Sequence, residues 1–187
     1  MEIVLGRHGK PKLDQWALIA PRQLAHWIRA YNAADIIVED IPPQTPKKAA
    51  RSGIIVSSPL RRCVQSAQLL GPSQALVIEE LFREADIPYA NWGFPRLPLP
   101  VWAVIFRVAW FCGYSSDSEP LSQARIRARL AAERLIELAQ QHESVFVVGH
   151  GIMTMLIAKE LLLMGWSGPK RPANKYWQYC VYRFLAA

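Results

Sequence analysis

Four short stretches carry the residue types that could do chemistry. Arg7-His8-Gly9 ends an apolar run that starts at Glu2. Gly149-His150-Gly151 ends a second apolar run, Ser144 to Val148. A third run, Gly53 to Ser57, leads into Ser58-Pro59-Leu60-Arg61-Arg62. Glu84 lies just past a fourth run, Ala75 to Ile78. A guanidinium offers planar, paired hydrogen bonds to phosphate oxygens, and a neutral imidazole can attack phosphorus. Phosphoryl transfer needs a nucleophile, cations around the equatorial oxygens, and an acid for the leaving oxygen. Two His, an Arg from each of two strand ends and one Glu supply every part. Because Arg and His supply the charge, the set requires no metal and no cofactor.

These residues can meet only if the apolar runs are neighbouring strands. In open α/β sheets, ligands bind beyond the carboxyl ends of the strands. The periodicity predicts strands at Glu2–Arg7, Gly53–Ser57, Ala75–Ile78, Ser144–Val148 and Trp177–Leu185. Helices are predicted from near Pro21, with Leu24, Trp27, Ile28 and Tyr31 on one face. Others run from Pro59 to Leu70, from Val101 to Cys112, from Leu121 to Gln141 and from Ile152 to Met164. Ser58 is the expected cap of the second, with Pro59 in its first turn. Ile126, Leu130, Leu135 and Leu138 are the expected buried stripe of the long helix. Loops are assigned to Lys10–Lys12, Pro42–Pro46, Pro88–Pro100, Gly113–Pro120 and Trp166–Asn174. The stop at Gly71-Pro72 closes the second helix, and Asp35–Ile41 is short extended chain or loop. Alternating strands and helices predict an α/β fold with a mostly parallel sheet covered on both faces.

The motifs occur together, and in the order seen in a known family. Arg7-His8-Gly9, Ser57 to Arg62, Leu81-Phe82-Arg83-Glu84 and Gly149-His150-Gly151 resemble the histidine phosphatase superfamily, in the branch of the cofactor-dependent phosphoglycerate mutases. Asn174 resembles a further family feature. The resemblance implies a three-layer α/β/α sandwich, with His8 as the nucleophile that becomes phosphohistidine. It implies that Arg7 and Arg62 hold the phosphoryl oxygens. The family's Arg lies two residues after the Leu, which selects Arg62 over Arg61. His150 is implied as the second histidine on the phosphoryl group, and Glu84 as the group that protonates the leaving oxygen and then activates water. Two departures stand out. Lys10-Pro11 replaces the acidic and hydroxyl residues that often follow Arg-His-Gly, and Ala85-Asp86-Ile87-Pro88 replaces a glycine-rich stretch.

Residues 87 to about 118 form an aromatic-rich insert outside the resemblance. It reads as a cap helix packing Trp102, Phe106 and Trp110, as a lid over an apolar substrate pocket, or as a dimer or membrane-surface contact. Lys10, Trp92, Arg96 and Trp102 are the candidate substrate or lid residues.

The 187 residues suit one domain, and 51% hydrophobic with 20% charged residues describe a globular protein. The net charge of +7 is spread along the chain rather than gathered into a basic, aromatic-laced tract. It therefore points to small anionic substrates and not to nucleic acid. Three cysteines without CxxC spacing point to reduced thiols in the cytoplasm. No signal peptide precedes the first strand, and the apolar helix at Val101 is too short to span a bilayer. The expected activity is a phosphomonoester hydrolase. A mutase, or a silent phospho-ligand binding module, would use the same residues. The short chain leaves little room for the extra segments of mutase relatives, and a homodimer is an open expectation.

Overall fold

The computed structural model describes residues 1–13, 17–38, 41–71 and 75–184. Glu39 and Asp40 of the Asp35–Ile41 segment, the helix stop Pro72, and Leu185 lie outside the described residues. Five strands form the main sheet in the order β4-β3-β6-β1-β7. They are β1 (Glu2–Arg7), β3 (Ile54–Ser57), β4 (Leu76–Ile78), β6 (Ser144–Gly149) and β7 (Tyr179–Arg183). All neighbours run parallel except β7, which pairs antiparallel with β1. The central strands read as continuous apolar runs because both their faces are covered.

Alternate residues serve the two faces. Ile3, Leu5, Val145 and Val147 pack under α5 (Leu121–His142) and α6 (Gly151–Leu163). Val4, Ile55, Phe146 and Val148 pack against α3 (Arg61–Leu70) and α2 (Gln44–Ala49), with Trp177 closing that layer. This is the three-layer α/β/α sandwich. A third cluster lies to one side, where α1 (Leu24–Ala33) and α4 (Leu99–Phe111) share Leu24, Leu99, Trp102 and Phe106.

Four local expectations need correction. Pro42–Pro46 is not all loop, since α2 begins at Gln44. Pro46 falls in its first turn, where backbone N–H groups have no intrahelical partner, so the proline sacrifices no hydrogen bond. α3 starts at Arg61 with Leu60 at its cap position, and no side chain caps it. Ser58 Oγ instead sits 2.8 Å from His150 Nε2. In α5, Ile126 and Leu130 are 63% and 49% exposed, and the buried face is made by Ala124, Ala128, Ala131, Ala132, Leu135, Leu138 and Ala139. Small alanines let α5 approach the sheet closely, which a stripe of leucines would prevent. Lastly, the Pro88–Pro100 stretch contributes β5 (Leu97–Pro98), which pairs with β2 (Leu18–Ile19) in a two-stranded ribbon. Proline is tolerated there because both strands are edges.

α4 begins two residues ahead of its expected start. Trp102, Phe106 and Trp110 recur every four residues and are all buried. Trp110 Nε1 donates to the Glu119 carbonyl at 2.7 Å, and Trp102 Nε1 to the Ile19 carbonyl at 2.7 Å. No helix among the described residues is long and apolar enough to cross a membrane.

Candidate active site

β1 and β6 are hydrogen-bonded neighbours with Arg7 opposite Gly149, so the two histidines that follow them emerge together. The His8 and His150 rings stand edge to face with centroids 5.1 Å apart. Gly9 lets the chain turn under this pair. A β-carbon there would lie 2.3 Å from Trp177 Cζ2, and the Gly9 N–H donates to Ser66 Oγ at 2.8 Å.

Arg62, 1% exposed, ties the site together. Its Nε donates to His8 Nε2 at 3.2 Å, and its Nη2 lies 3.3 Å from His150 Nδ1. Nη1 donates to the Tyr31 carbonyl and to Asn32 Oδ1, and the guanidinium lies 4.4 Å from the Tyr31 ring centroid. Arginine only donates, so it fixes both tautomers. His8 carries its proton on Nδ1, which donates to the Gly9 carbonyl at 2.7 Å, and keeps the Nε2 lone pair. His150 accepts on Nδ1 and donates from Nε2 to Ser58 Oγ. Arg61, by contrast, turns outward to Asp35 at 2.6 Å. One residue of helical rotation separates the two arginines by about 100°.

Both imidazoles are held neutral. Burial pushes His8 well below the ordinary histidine value, and the Arg62 charge adds to the effect. Burial does the same for His150, reinforced by His8 and Arg62. Arg7 stacks over the Tyr176 ring at 4.6 Å and donates from Nη1 to the Asn174 carbonyl.

Glu84 is set by the same helix start that follows His150. Its Oε1 accepts the Met153 N–H at 2.9 Å and the Ala85 N–H at 3.0 Å, and its Oε2 accepts the Ile152 N–H at 3.3 Å. The Ile152 and Met153 N–H groups belong to the first turn of α6 and have no intrahelical partner. A cavity of about 520 Å³ brings Arg7, Arg62 and Glu84 to one space, together with Tyr31, Asn32, Tyr176 and the inner side of α4.

Of the candidates, Arg7, Arg62 and Glu84 line this cavity, while His8 and His150, both buried and outside its lining, reach it through Arg62, which contacts both. Lys10, Trp92, Arg96 and Trp102 are not among the residues that line this cavity. Trp102 faces the interior, Trp92 is 52% exposed, and Arg96 is exposed. Lys10 borders a neighbouring depression with Arg7, Asn174 and Tyr176. The cavity wall is made instead by Leu99, Ala103, Val104, Val108 and Phe111. Sequence reasoning also passed over Tyr31, Asn32 and Tyr176, which hold the two arginines. The recurrence of Trp27, Ile28 and Tyr31 was the only signal for one of them.

Residues 46–185 match the histidine phosphatase superfamily (branch 1). The chain belongs to that family. The match begins after β1, so His8 joins the site through its geometry. No curated protein matches the sequence. Solved structures share the fold at low identity. The product of a Mycobacterium tuberculosis open reading frame has 16% identity and a TM-score of 0.63, with 98% of this chain and 91% of that one covered. Bacillus stearothermophilus YhfR has 17% identity and a TM-score of 0.60, covering 96% and 89%. A mycobacterial glucosyl-3-phosphoglycerate phosphatase, solved with VO3, has 19% identity and a TM-score of 0.59, covering 87% and 82%.

Proposed function

We propose that this member of the family is a metal-independent phosphomonoesterase working through phosphohistidine at His8. One observation carries the proposal. His8, held neutral and with its proton on Nδ1, turns Nε2 to Arg62, and Arg62 lines the open cavity together with Arg7 and Glu84. In the first step Nε2 attacks phosphorus, a P–N bond forms, and the ester P–O bond breaks. Glu84 gives the leaving oxygen its proton. The two guanidiniums take up the equatorial oxygens, and His150 takes a proton from solvent as the phosphoryl charge arrives and returns it to solvent when phosphate leaves. In the second step Glu84 accepts a proton from water, whose oxygen attacks phosphorus. The P–N bond breaks, and phosphate and free His8 are released.

Hydrolysis is favoured over transfer to a second substrate because the cavity opens to solvent along α4, where Val104 and Val108 are 64% and 58% exposed. The phosphatase among the fold relatives described above agrees with hydrolysis and leaves the substrate open. The cytoplasm, whose reducing poise keeps thiols unpaired, is the compartment we assign on the free Cys63, Cys112 and Cys180.

The test is hydrolysis of an aryl phosphate in excess chelator, with acid-labile phosphoprotein trapped by rapid quench. Activity and trapped phosphate should both vanish in His8→Ala, with the thermal melt retained. Turnover that survives His8→Ala, or that disappears with chelator, would exclude the mechanism.

A further inference from the structure

α4 forms one wall of the active-site cavity, and its composition is unusual for a helix that merely packs on a core. Trp102, Phe106 and Trp110 satisfy the interior. On another side of the same helix, Ala103, Val104, Val108 and Phe111 line the cavity. Val104, Val108 and Phe111 are nonetheless 64%, 58% and 42% exposed. Val101 and Ile105, at 41% and 42%, carry the apolar surface further round the helix. A helix at the surface of a globular protein ordinarily presents polar residues there. Among the 13 residues of α4, Arg107 is the only charged one. It is engaged by the protein itself, donating to the Ala85 and Asp86 carbonyls and stacking over Trp110.

The cavity therefore has two chemically distinct ends. At one, Arg7 and Arg62 offer charge to a phosphoryl group. At the other, α4 offers hydrocarbon, joined by Trp27 and Ile28 of α1. Of the other polar lining groups, Asn32 holds Arg62, Arg83 and Asp86 flank Glu84 in the chain, and Arg107 of α4 is taken up by the Ala85 and Asp86 carbonyls. Along Val104 and Val108, the hydroxyls or charges of a sugar or amino-acid leaving group would lie against hydrocarbon, without partners. A hydrocarbon chain would lose nothing there and would remove exposed apolar surface from water. From Leu99 to Phe111 the helix offers a wall about 18 Å long.

We infer that the substrate is a phosphomonoester of a long-chain apolar alcohol, with its phosphate between Arg7 and Arg62 and its chain laid along α4. The inference rests on the phosphatase reading above. Hydrolysis releases the alcohol with a proton on its oxygen, and inorganic phosphate.

The experiment pairs turnover with binding, so that the two readings can fail separately. kcat/KM is measured for n-alkyl phosphates from butyl to decyl, and Kd for the matching non-hydrolysable alkylphosphonates by calorimetry, all below their micelle thresholds. Both should improve by up to about fourfold per methylene, the factor for full burial of one CH2. The gain should level off once the chain outgrows the wall. Val104→Asn with Val108→Asn, at exposed positions where folding tolerates a polar group, should cut the gain below about twofold per methylene. Arg62→Met should weaken decylphosphonate binding by about 100-fold or more.

Turnover with a flat chain-length series, or a higher kcat/KM for phosphoserine or glycerol phosphate than for decyl phosphate, would overturn the inference and leave the phosphatase reading standing. Absence of turnover on every ester would overturn the phosphatase reading, and the phosphonate Kd series would still decide the chain by the same slope. Decylphosphonate binding that is unaffected by Arg62→Met would show the chain adhering outside the cavity, which also overturns the inference.

Discussion

Arg62→Met separates the demands of catalysis from those of stability. Arg62 is a buried cation whose side-chain partners are the neutral His8, His150, Asn32 and the Tyr31 carbonyl. Among the described residues no carboxylate forms an ion pair with it. Desolvating such a charge costs several kcal/mol. The hydrogen bonds to uncharged acceptors return about 1.5–3 kcal/mol each, so the two sides come close to cancelling. A methionine keeps the stem, removes the charge and fills part of the space. Removing the charge relieves its desolvation, but methionine leaves His8 Nε2, His150 Nδ1, Asn32 Oδ1 and the Tyr31 carbonyl without their donor, at about 1–3 kcal/mol for each that water does not reach. The two effects oppose each other, so a net change within about 2 kcal/mol is expected, which moves Tm by at most about 8 °C for a chain of this size. Activity should fall. Loss of both donors that face the histidines should lower kcat/KM by about 10³-fold or more. The assay is a thermal melt with and without inorganic phosphate, alongside steady-state kinetics. Phosphate at about 100 times its Kd should stabilise the parent by about 2.7 kcal/mol and the variant far less. If Arg62→Met unfolds more easily by about 2 kcal/mol or more, and phosphate does not stabilise the parent, Arg62 is a structural strut and the reasoning fails.

Three further outcomes are expected. His8 and His150 are both held below the ordinary histidine value, so between that value and their folded values the unfolded chain binds more protons. Stability should then be lost as pH falls below about 6.5, by up to about 2.7 kcal/mol per pH unit, and His150→Gln should halve that slope in urea unfolding. A flat profile across this window would contradict the neutral pair. The acid limb of kcat/KM should likewise fall below the usual histidine range. Glu84→Gln keeps one acceptor oxygen for the α6 N–H groups but cannot donate a proton as an acid. It should cost about 10²–10⁴ in kcat on an alkyl phosphate and much less on a nitrophenyl phosphate, whose leaving group needs no proton. Equal losses on the two esters would make Glu84 only a cap for α6. Trp110→Ala removes the side chain that pins α4 to the main core and should cost about 3–5 kcal/mol, or about 6–20 °C in Tm. A cost below about 1 kcal/mol would mean that α4 is held by its other contacts.

Much of the fold is legible in local pattern. β1, β3, β4 and β6 are apolar runs, and the bounds of each strand fall within one residue or two of the run that marks it. The errors have local causes. Pro46 argues for a loop until its place in the first turn of α2 is known. Ile126 and Leu130 fit a helical stripe, yet the distance between α5 and the sheet admits alanines on the buried side. The ribbon of β2 and β5 has only two residues per strand and no periodicity to betray it.

By itself the sequence determined which side chains stand at the strand ends of the candidate site: Arg7-His8, their echo at His150, the Arg61-Arg62 pair and a trailing Glu84. These are local facts, since a strand's carboxyl end is marked by where its apolar run stops. Only the tertiary structure decided how those ends combine. The pairing of β1 with β6 depends on non-local hydrogen bonds, and it alone puts His8 against His150. The rotation of α3 on the sheet turns Arg62 inward and leaves Arg61 to Asp35. The same rule governs the insert. Composition marks α4 as apolar on every side, but packing chooses Trp102, Phe106 and Trp110 for the core. What remains, Ala103, Val104, Val108 and Phe111, lines the cavity beside Arg7 and Arg62.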